Sequence, residues 1–177
     1  MKKKRPGNPI ENSRHLRYNA HRELISDTKI IALGGLRNMI STKGRYALRV
    51  IVDLAEHQQG EEYIPLKDIA ARQEISEKYL EIILKVLVKE KLLKGLRGKG
   101  SGYRLTRSPK DYPIGEILSL TEGTLAPVAC LTENADPCER SETCPTLRMW
   151  QRFDNLTHDF FYTITVADLM DGGERIK

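Results

Sequence analysis

From Ser41 onward, apolar positions recur at steps of three and four residues, which predicts an amphipathic helix with one buried face. The apolar positions of this helix are Ala47, Leu48, Ile51, Leu54 and Ala55. The next segment, YIPLKDIAARQEIS, predicts a short strand, a helix that opens at Pro65, and a tight turn. Ser76 offers an N-cap hydroxyl for a third helix. Its apolar face comprises Leu80, Ile83, Leu84 and Leu87, so we expect the three helices to form one group.

A glycine-rich stretch, LLKGLRGKGSGYRLTR, follows and consists of two β-prone runs around a flexible tip. Arg97 and Lys99 lie in the tip, and Gly98, Gly100 and Gly102 would allow the backbone to approach DNA closely. The order helix, helix, turn, helix, hairpin is that of a winged helix-turn-helix, whose third helix enters the major groove. The sequence therefore predicts a mainly α fold with a small β-hairpin, the wing.

After the hairpin, SPKDYPIGEILSLTEG predicts a short helix that ends at Gly123. A longer helix then carries a largely aromatic stripe, made of Leu147, Trp150, Phe153, Leu156, Phe160 and Ile164. Because a lone terminal helix has little of its own chain to bury such a stripe, we expect a twofold dimer interface here. The alternative is that the stripe packs back onto the winged helix. Thr165 and Asp168 have the spacing of a capping box at the start of a last helix.

These patterns divide the chain into segments. Residues 1–38 lack a sustained apolar period and are predicted to be a disordered extension, or to precede the true start at Met39. A genuine basic arm that adds nonspecific DNA affinity is the alternative. The remaining segments are a winged helix-turn-helix domain (39–112), a short helix with a cysteine loop (113–146), a dimerisation helix with a C-terminal helix (147–172), and a tail (173–177).

Charge is distributed unevenly along the 177 residues, whose net charge is +5. Residues 1–38 have 9 Lys+Arg and 3 Asp+Glu, residues 39–113 have 15 and 10, and residues 114–177 have 5 and 11. Nine of the basic residues fall between 85 and 110, where Glu90 is the single acid. A basic concentration of this kind favours contact with phosphate, although a solvated helix end would look the same on charge alone.

The predicted partner is therefore a double-stranded DNA operator. Helix-turn-helix proteins meet base edges through the first turns of the recognition helix, and the wing tip contributes affinity. The candidate DNA-binding residues are Thr42, Lys43 and Arg45 in the first helix, Lys78, Tyr79 and Glu81 in the third, and Arg97, Gly98, Lys99 and Gly100 in the wing.

All three cysteines, Cys130, Cys138 and Cys144, lie in one acidic loop, separated by seven and then five residues. The N-terminus offers no continuous apolar region for a signal peptide or membrane anchor, so we expect a cytoplasmic protein without membrane contact. Three thiols in a reducing compartment predict a metal or redox site. An iron–sulfur cluster is one candidate because soft thiolates suit iron, whereas structural zinc prefers a close C-x-x-C pair, which is absent. A clusterless thiol sensor or inert cysteines remain alternatives.

Enzymatic activity is not expected. After residue 38 the histidines are His57 and His158, and neither falls in an arrangement of nucleophile and base. The sequence also has no glycine-rich loop between a strand and a helix.

Five motifs in matching order resemble the Rrf-two family of bacterial regulators, which includes the IscR, NsrR and CymR types. They are STKGRYALRVIVDLA, ISEKYLE, RGKGSGYRL, PIGEIL, and the cysteine loop followed by LRMW. The resemblance spans Met39 to about Gly172 and implies a homodimeric winged-helix transcription factor. In cluster-bearing members three loop cysteines hold a [2Fe–2S] or [4Fe–4S] cluster that senses redox state, nitric oxide or iron–sulfur status, and Cys130, Cys138 and Cys144 match them. Other members have lost these cysteines and sense something else.

The sequence departs from the family pattern at the cluster ligands. The first loop spacing is seven residues where members often have five, and the histidine that some members place three residues after the last cysteine is Leu147 here. Positions that supply a carboxylate or histidine from the partner subunit in other members are Arg45 and Arg49. The remaining candidates for a fourth ligand are a solvent molecule, a small thiol, an open iron, or the loop carboxylates Glu133, Asp136, Glu139 and Glu142.

Overall fold

Helices α1 to α3 and a two-stranded sheet come first in a computed structural model that describes residues 39–173 and Ile176. The prediction for residues 1–38 lies outside the described residues. The elements are α1 (Thr42–His57), α2 (Leu66–Gln73), α3 (Glu77–Lys89), β1 (Leu93–Leu96), β2 (Gly102–Leu105), α4 (Ile114–Glu122), α5 (Leu147–Thr163) and α6 (Val166–Leu169), with 3₁₀ turns at Pro109–Asp111, Ala129–Leu131 and Met170–Gly173. This order confirms the predicted mainly α fold with a small β-hairpin. Over the described ranges, no helix is both long and apolar enough to span a membrane.

Local capping explains where several helices begin. The Ser41 hydroxyl accepts from the Gly44 N–H at the start of α1 (3.2 Å), and Ser76 caps α3 in the predicted way by accepting from the Tyr79 N–H (3.4 Å). Thr165 and Asp168 form the capping box of α6, with Asp at the position where Glu or Gln is usual. The turn between α2 and α3 passes through Glu74 in the left-handed conformation (φ 55°).

The core lies where α1, α3 and α4 meet. Their apolar faces are almost completely buried, and α6 adds Val166 to them. Each fully buried Leu or Ile side chain contributes about 1.5–3 kcal/mol by leaving water. The central members are Ile51, Leu54, Leu80, Ile83, Leu84, Leu87, Ile117 and Leu118. The α4 helix therefore belongs to the same core as the helix-turn-helix.

The wing is anchored to the segment before α2 by an isolated β-bridge. Strands β1 and β2 pair antiparallel, and Ile64 exchanges two backbone hydrogen bonds with Tyr103, each 2.9 Å. A Cβ atom on Gly102 would lie 2.4 Å from the Ile64 carbonyl oxygen, so only glycine permits this approach. The expectation that Gly102 admits DNA was therefore wrong, because its open side is filled by the protein's own backbone. Gly98 and Gly100, with φ of +88° and +75°, form the turn of the wing.

Tyr112 fixes the base of the wing to the rest of the fold. It is fully buried, and its hydroxyl donates to the Leu92 carbonyl (2.7 Å). The same oxygen accepts from the backbone N–H groups of Thr106 (2.9 Å) and Arg107 (3.2 Å). One phenol thus satisfies three backbone groups where β2 ends.

A buried carboxylate joins α1 to α2. Asp53 is 1% exposed and accepts from Arg72 through both oxygens, at 2.9 and 2.7 Å, and from the Gln73 amide at 2.9 Å. Arg49 donates to the side-chain oxygen of Gln73 (3.0 Å) and to its carbonyl. This network fixes the angle at which α2 presents the turn and α3.

Helix α5 has a packed face and an uncovered face. Tyr162 lies against α4 where Gly115 leaves room, since a Cβ there would be 2.2 Å from the ring, and Phe161 packs on the core. The predicted stripe divides between these faces. Leu147, Trp150 and Ile164 are half-buried, whereas the uncovered apolar stripe consists of Met149, Phe153, Leu156 and Phe160, each 43–58% exposed.

Candidate nucleic-acid interface and cysteine loop

The first turns of α3 present polar side chains to solvent. Lys78 and Glu81 are exposed. Tyr79 is half-buried, because its ring packs edge-on against Tyr46 at 5.9 Å between centroids. Tyr46 in turn lies under the Arg49 guanidinium (5.3 Å). Tyr79 is therefore held by α1, while its neighbours are free to contact a ligand.

The wing tip lies within electrostatic reach of α3. Arg97, Gly98, Lys99 and Gly100 are all exposed. Burial raises the pKa of the Tyr103 phenol, and the charge of Glu81 raises it further, whereas Arg97 acts in the opposite direction. The charges of Glu81 in α3 and of Arg97 in the wing thus act on the same phenol.

Arg104, a basic residue of the wing, contacts the protein itself. Its guanidinium lies over the Tyr63 ring at 5.4 Å and forms an ion pair with Glu61 at 3.7 Å. Only 17% of its side chain is exposed. Arg104 therefore ties β2 to the segment before α2 and contributes less to the basic surface than its sequence position indicates.

The start of α1 is bonded to the end of α4. Thr42 and Arg45 are exposed and bond to each other (3.2 Å), but the Lys43 ammonium donates to the Thr121 carbonyl (3.2 Å). Glu122 accepts from both the N–H (3.1 Å) and the hydroxyl (2.8 Å) of Ser41. Sequence reasoning missed Glu122, because 81 residues separate it from Ser41 and no local pattern indicates the pair.

The three cysteines lie on an open surface. Cys130 and Cys138 are exposed, Cys144 is half-buried, and all three are free thiols. Cys130 belongs to the 3₁₀ turn Ala129–Leu131. In the described part of the chain, no three or more His, Cys, Asp or Glu side chains are grouped so that they could hold a metal ion. The loop thus carries the predicted ligands without bringing them together.

Cys144 has an environment that favours its thiolate. Its sulfur is 3.5 Å from the Thr146 hydroxyl, immediately before α5. The hydrogen bond from the Thr146 side chain is the largest cause that lowers the pKa of this thiol, and backbone hydrogen bonds from Thr146 and Leu147 and the charge of Arg140 act in the same direction. Cys144 is accordingly the cysteine whose surroundings favour metal ligation or thiol chemistry.

The positions that match partner-subunit ligands are cationic and engaged within this chain. Arg49 bonds to Gln73, and Arg45 bonds to Thr42. The loop carboxylates considered as a fourth ligand, Glu133, Asp136, Glu139 and Glu142, are exposed.

A winged helix followed by a cysteine loop between two helices has counterparts among known proteins. The profile of the Rrf2 family, described as an iron-dependent transcriptional regulator, matches residues 40–172. The chain belongs to the Rrf2 family. The protein rrf2 of Nitratidesulfovibrio vulgaris is 37% identical over 131 residues, which cover 74% of this chain and 86% of that protein. The HTH-type transcriptional regulator IscR of Pectobacterium carotovorum is 33% identical over 135 residues, covering 76% and 80%.

Solved structures of Rrf2-type regulators have the same fold. CymR (YrzC), the global cysteine regulator of B. subtilis, aligns with a TM-score of 0.60 and 31% identity, covering 80% of this chain and 100% of CymR. IscR of T. potens aligns with a TM-score of 0.57 and 34% identity, covering 78% and 88%. These relatives are transcriptional regulators, which confirms the predicted family and the expectation that the chain is not an enzyme.

Proposed function

We propose that this Rrf2-family regulator is a homodimer that recognises a specific double-stranded operator with the start of α3 and the wing. The observation that carries the proposal is the exposure of Lys78 and Glu81 together with the wing tip. Glu81 can accept from a cytosine amino group, and Lys99 can neutralise a phosphate.

Substitutions at these two positions test the recognition model. Glu81→Ala should change the base preference measured by binding-site selection, because a base-edge acceptor is lost. Lys99→Ala should weaken binding to all DNA sequences by a similar factor. It should also reduce the slope of log K, the DNA-binding constant, against log salt concentration by about 1. Glu56→Ala, which removes an exposed glutamate near the end of α1, is the matched control and should leave the selected sequences unchanged. An unaltered selection profile for Glu81→Ala would show that α3 reads bases elsewhere.

Dimerisation is proposed to use the uncovered apolar stripe of α5, Met149, Phe153, Leu156 and Phe160. A contiguous row of large exposed apolar side chains is costly in water unless a partner covers it, and twofold association covers two such rows at once. Analytical ultracentrifugation should find a dimer, and Phe153→Glu should give monomers. Asn155→Glu adds the same charge at an exposed position of α5 outside the stripe and should remain dimeric. A monomeric wild type at micromolar concentration would contradict this assignment.

For signal sensing, Cys130, Cys138 and Cys144 are proposed to hold an iron–sulfur cluster. The donor chemistry fits, because three free thiols share one loop and Thr146 favours the thiolate of Cys144. An iron–sulfur cluster, when bound, supplies a group that oxidants or nitric oxide can alter. The chain's own part is to keep the thiols exposed in a loop that joins α4 to α5. A cytosolic location, where cellular reductants keep these thiols free, belongs to the same proposal.

A clusterless thiol sensor is the second candidate. It is supported by the open arrangement of the three cysteines and by the lowered pKa of Cys144, which increases its thiolate fraction. Solved relatives include an oxidised form of Staphylococcus aureus CymR.

Iron, sulfide and visible absorbance measured on anaerobically reconstituted protein separate the two candidates. With a cluster, wild type contains both elements, and Ala at any of the three cysteines abolishes the absorbance and changes operator affinity. Ser141→Ala, in the same loop but without a thiol, is the control. Reconstituted wild type that binds no iron or sulfide would favour thiol sensing, and a bound cluster with no effect on operator affinity would contradict a role in switching.

A further inference from the structure

A cleft of about 600 Å³ lies between the end of α4, the two flanks of the Ala129–Leu131 turn, and α5. Its lining includes Leu131, the neighbour of Cys130, but none of the three cysteines. The volume falls within the range of small-molecule sites, about 300–1,000 Å³. The cleft is therefore large enough for a ligand of its own, beside the loop and apart from the thiols.

The lining combines an apolar surface with negative charge. Its apolar members are Leu120, Leu125, Ala126 and Leu131. The charged members are the carboxylates Glu133 and Asp154, and no described lining residue is Lys or Arg. Residues 114–177 as a whole carry 11 Asp+Glu against 5 Lys+Arg. A ligand with an apolar body and a positive charge complements this surface, whereas an anion would be repelled.

An aromatic pair forms part of the cleft wall. His158 stacks on Tyr162 with ring centroids 4.2 Å apart and an interplanar angle of 14°. The Tyr162 hydroxyl lies 3.3 Å from the Ser119 hydroxyl, and the same ring is seated against Gly115 of α4. The Tyr162 ring is thus positioned before any ligand arrives, which lowers the entropic cost of binding.

The cleft stays accessible when α5 dimerises in the proposed way. Asp154, His158 and Tyr162 follow one another at steps of four residues and form one ridge of the helix. Phe153 and Leu156 belong to the uncovered apolar stripe, about half a turn away around the helix axis. A partner on that stripe would leave the ridge open to solvent.

We propose that this cleft binds a small organic cation, with the apolar body against the leucines and the ammonium group between Asp154 and Glu133. The site requires neither an iron–sulfur cluster nor DNA. Bound there, the ligand would contact α4, the segment around Cys130 and α5 at the same time.

Phenethylamine and 3-phenylpropanoate form a matched pair of probes, since both join a phenyl ring to a two-carbon chain but carry opposite charges. Isothermal titration of the full-length protein with each probe measures the preference directly. We expect millimolar or tighter binding of the amine and at least tenfold weaker binding of the acid. Asp154→Asn should weaken amine binding about tenfold, as expected for the loss of a charge-assisted hydrogen bond, and Glu133→Gln in the exposed loop should act in the same direction.

The control is Glu56→Gln, because Glu56 is an exposed carboxylate of α1 that does not line the cleft. It should bind the amine as wild type does. Equal binding of the two probes, an equal loss in Glu56→Gln and Asp154→Asn, or no binding of phenethylamine would each overturn the proposal. Because the readout is direct binding, it does not depend on whether the protein recognises an operator.

Discussion

Replacing Asp53 with Asn tests how strongly the helix-turn-helix depends on one buried carboxylate. The substitution keeps the size of the side chain, so it opens no cavity. It removes the negative charge that accepts from Arg72 and Gln73, and it turns one acceptor oxygen into an amide that faces a donor. Two donors of Arg72 and one of Gln73 then compete for a single neutral oxygen.

The expected loss of unfolding free energy depends on how deeply Asp53 and Arg72 are each buried. Breaking a buried ion pair by changing one partner costs about 3–5 kcal/mol. Here Asp53 is 1% exposed but the Arg72 side chain is 32% exposed, so water can solvate the released guanidinium. We therefore expect the low end of the range, about 3 kcal/mol of unfolding free energy, or a fall in melting temperature of ~10 °C.

Urea denaturation followed by circular dichroism measures this loss, with an unchanged m-value as the sign that both states keep their compactness. Glu116→Gln is the matched control, because Glu116 also pairs with an arginine, Arg107, but these side chains are 34% and 37% exposed. Its cost should stay below about 1 kcal/mol. If the two variants lost the same stability to within 1 kcal/mol, the assigned role of Asp53 in holding α2 would be wrong.

Four further outcomes are expected. Tyr112→Phe should lower the free energy of unfolding by about 1–3 kcal/mol in urea denaturation, because three backbone groups lose their partner. Gly102→Ala should cost about 1–3 kcal/mol of unfolding free energy and lower operator affinity in fluorescence anisotropy, since its Cβ would displace the Ile64 backbone that anchors the wing. Glu122→Ala should cost about 1 kcal/mol in the same denaturation assay, and Glu122→Gln should restore most of it by keeping an acceptor. Thr146→Val should move the pH profile of Cys144 alkylation to higher pH, because the largest cause of its lowered pKa is removed; an unmoved profile would show that Thr146 does not stabilise the thiolate.

Local signals in the sequence predicted much of the fold. Ser76 caps α3, Thr165 and Asp168 form their capping box, and the glycine-rich stretch is the wing hairpin, because each depends on residues a few positions apart. The aromatic stripe of α5 was predicted less well. Regular spacing shows which residues share a side of a helix but not how much of that side neighbouring elements cover.

Contacts between segments that are far apart in the sequence could not be predicted from any local pattern. Asp53 lies on the buried side of α1 as a charged residue, contrary to the usual exposure of carboxylates, and its partners come from α2. Gly102 was assigned to DNA because nothing in its surroundings in the sequence indicates that the Ile64 backbone approaches it. Likewise, three cysteines in one loop indicate a metal or redox site, but spacing alone does not determine whether the thiols lie close together.

The hydrogen bonds from Ser41 and Lys43 to the last two residues of α4 have a consequence for how the protein would respond to a signal in a cell. They join the start of α1, where DNA contact is proposed, to the helix end from which the cysteine loop leaves. If a chemical change in that loop alters operator affinity, linkage requires the operator to favour the tighter-binding loop state by the same factor. Operator occupancy would then alter the reactivity of the cysteines, so that promoter-bound protein and free protein would respond to different doses of the same signal.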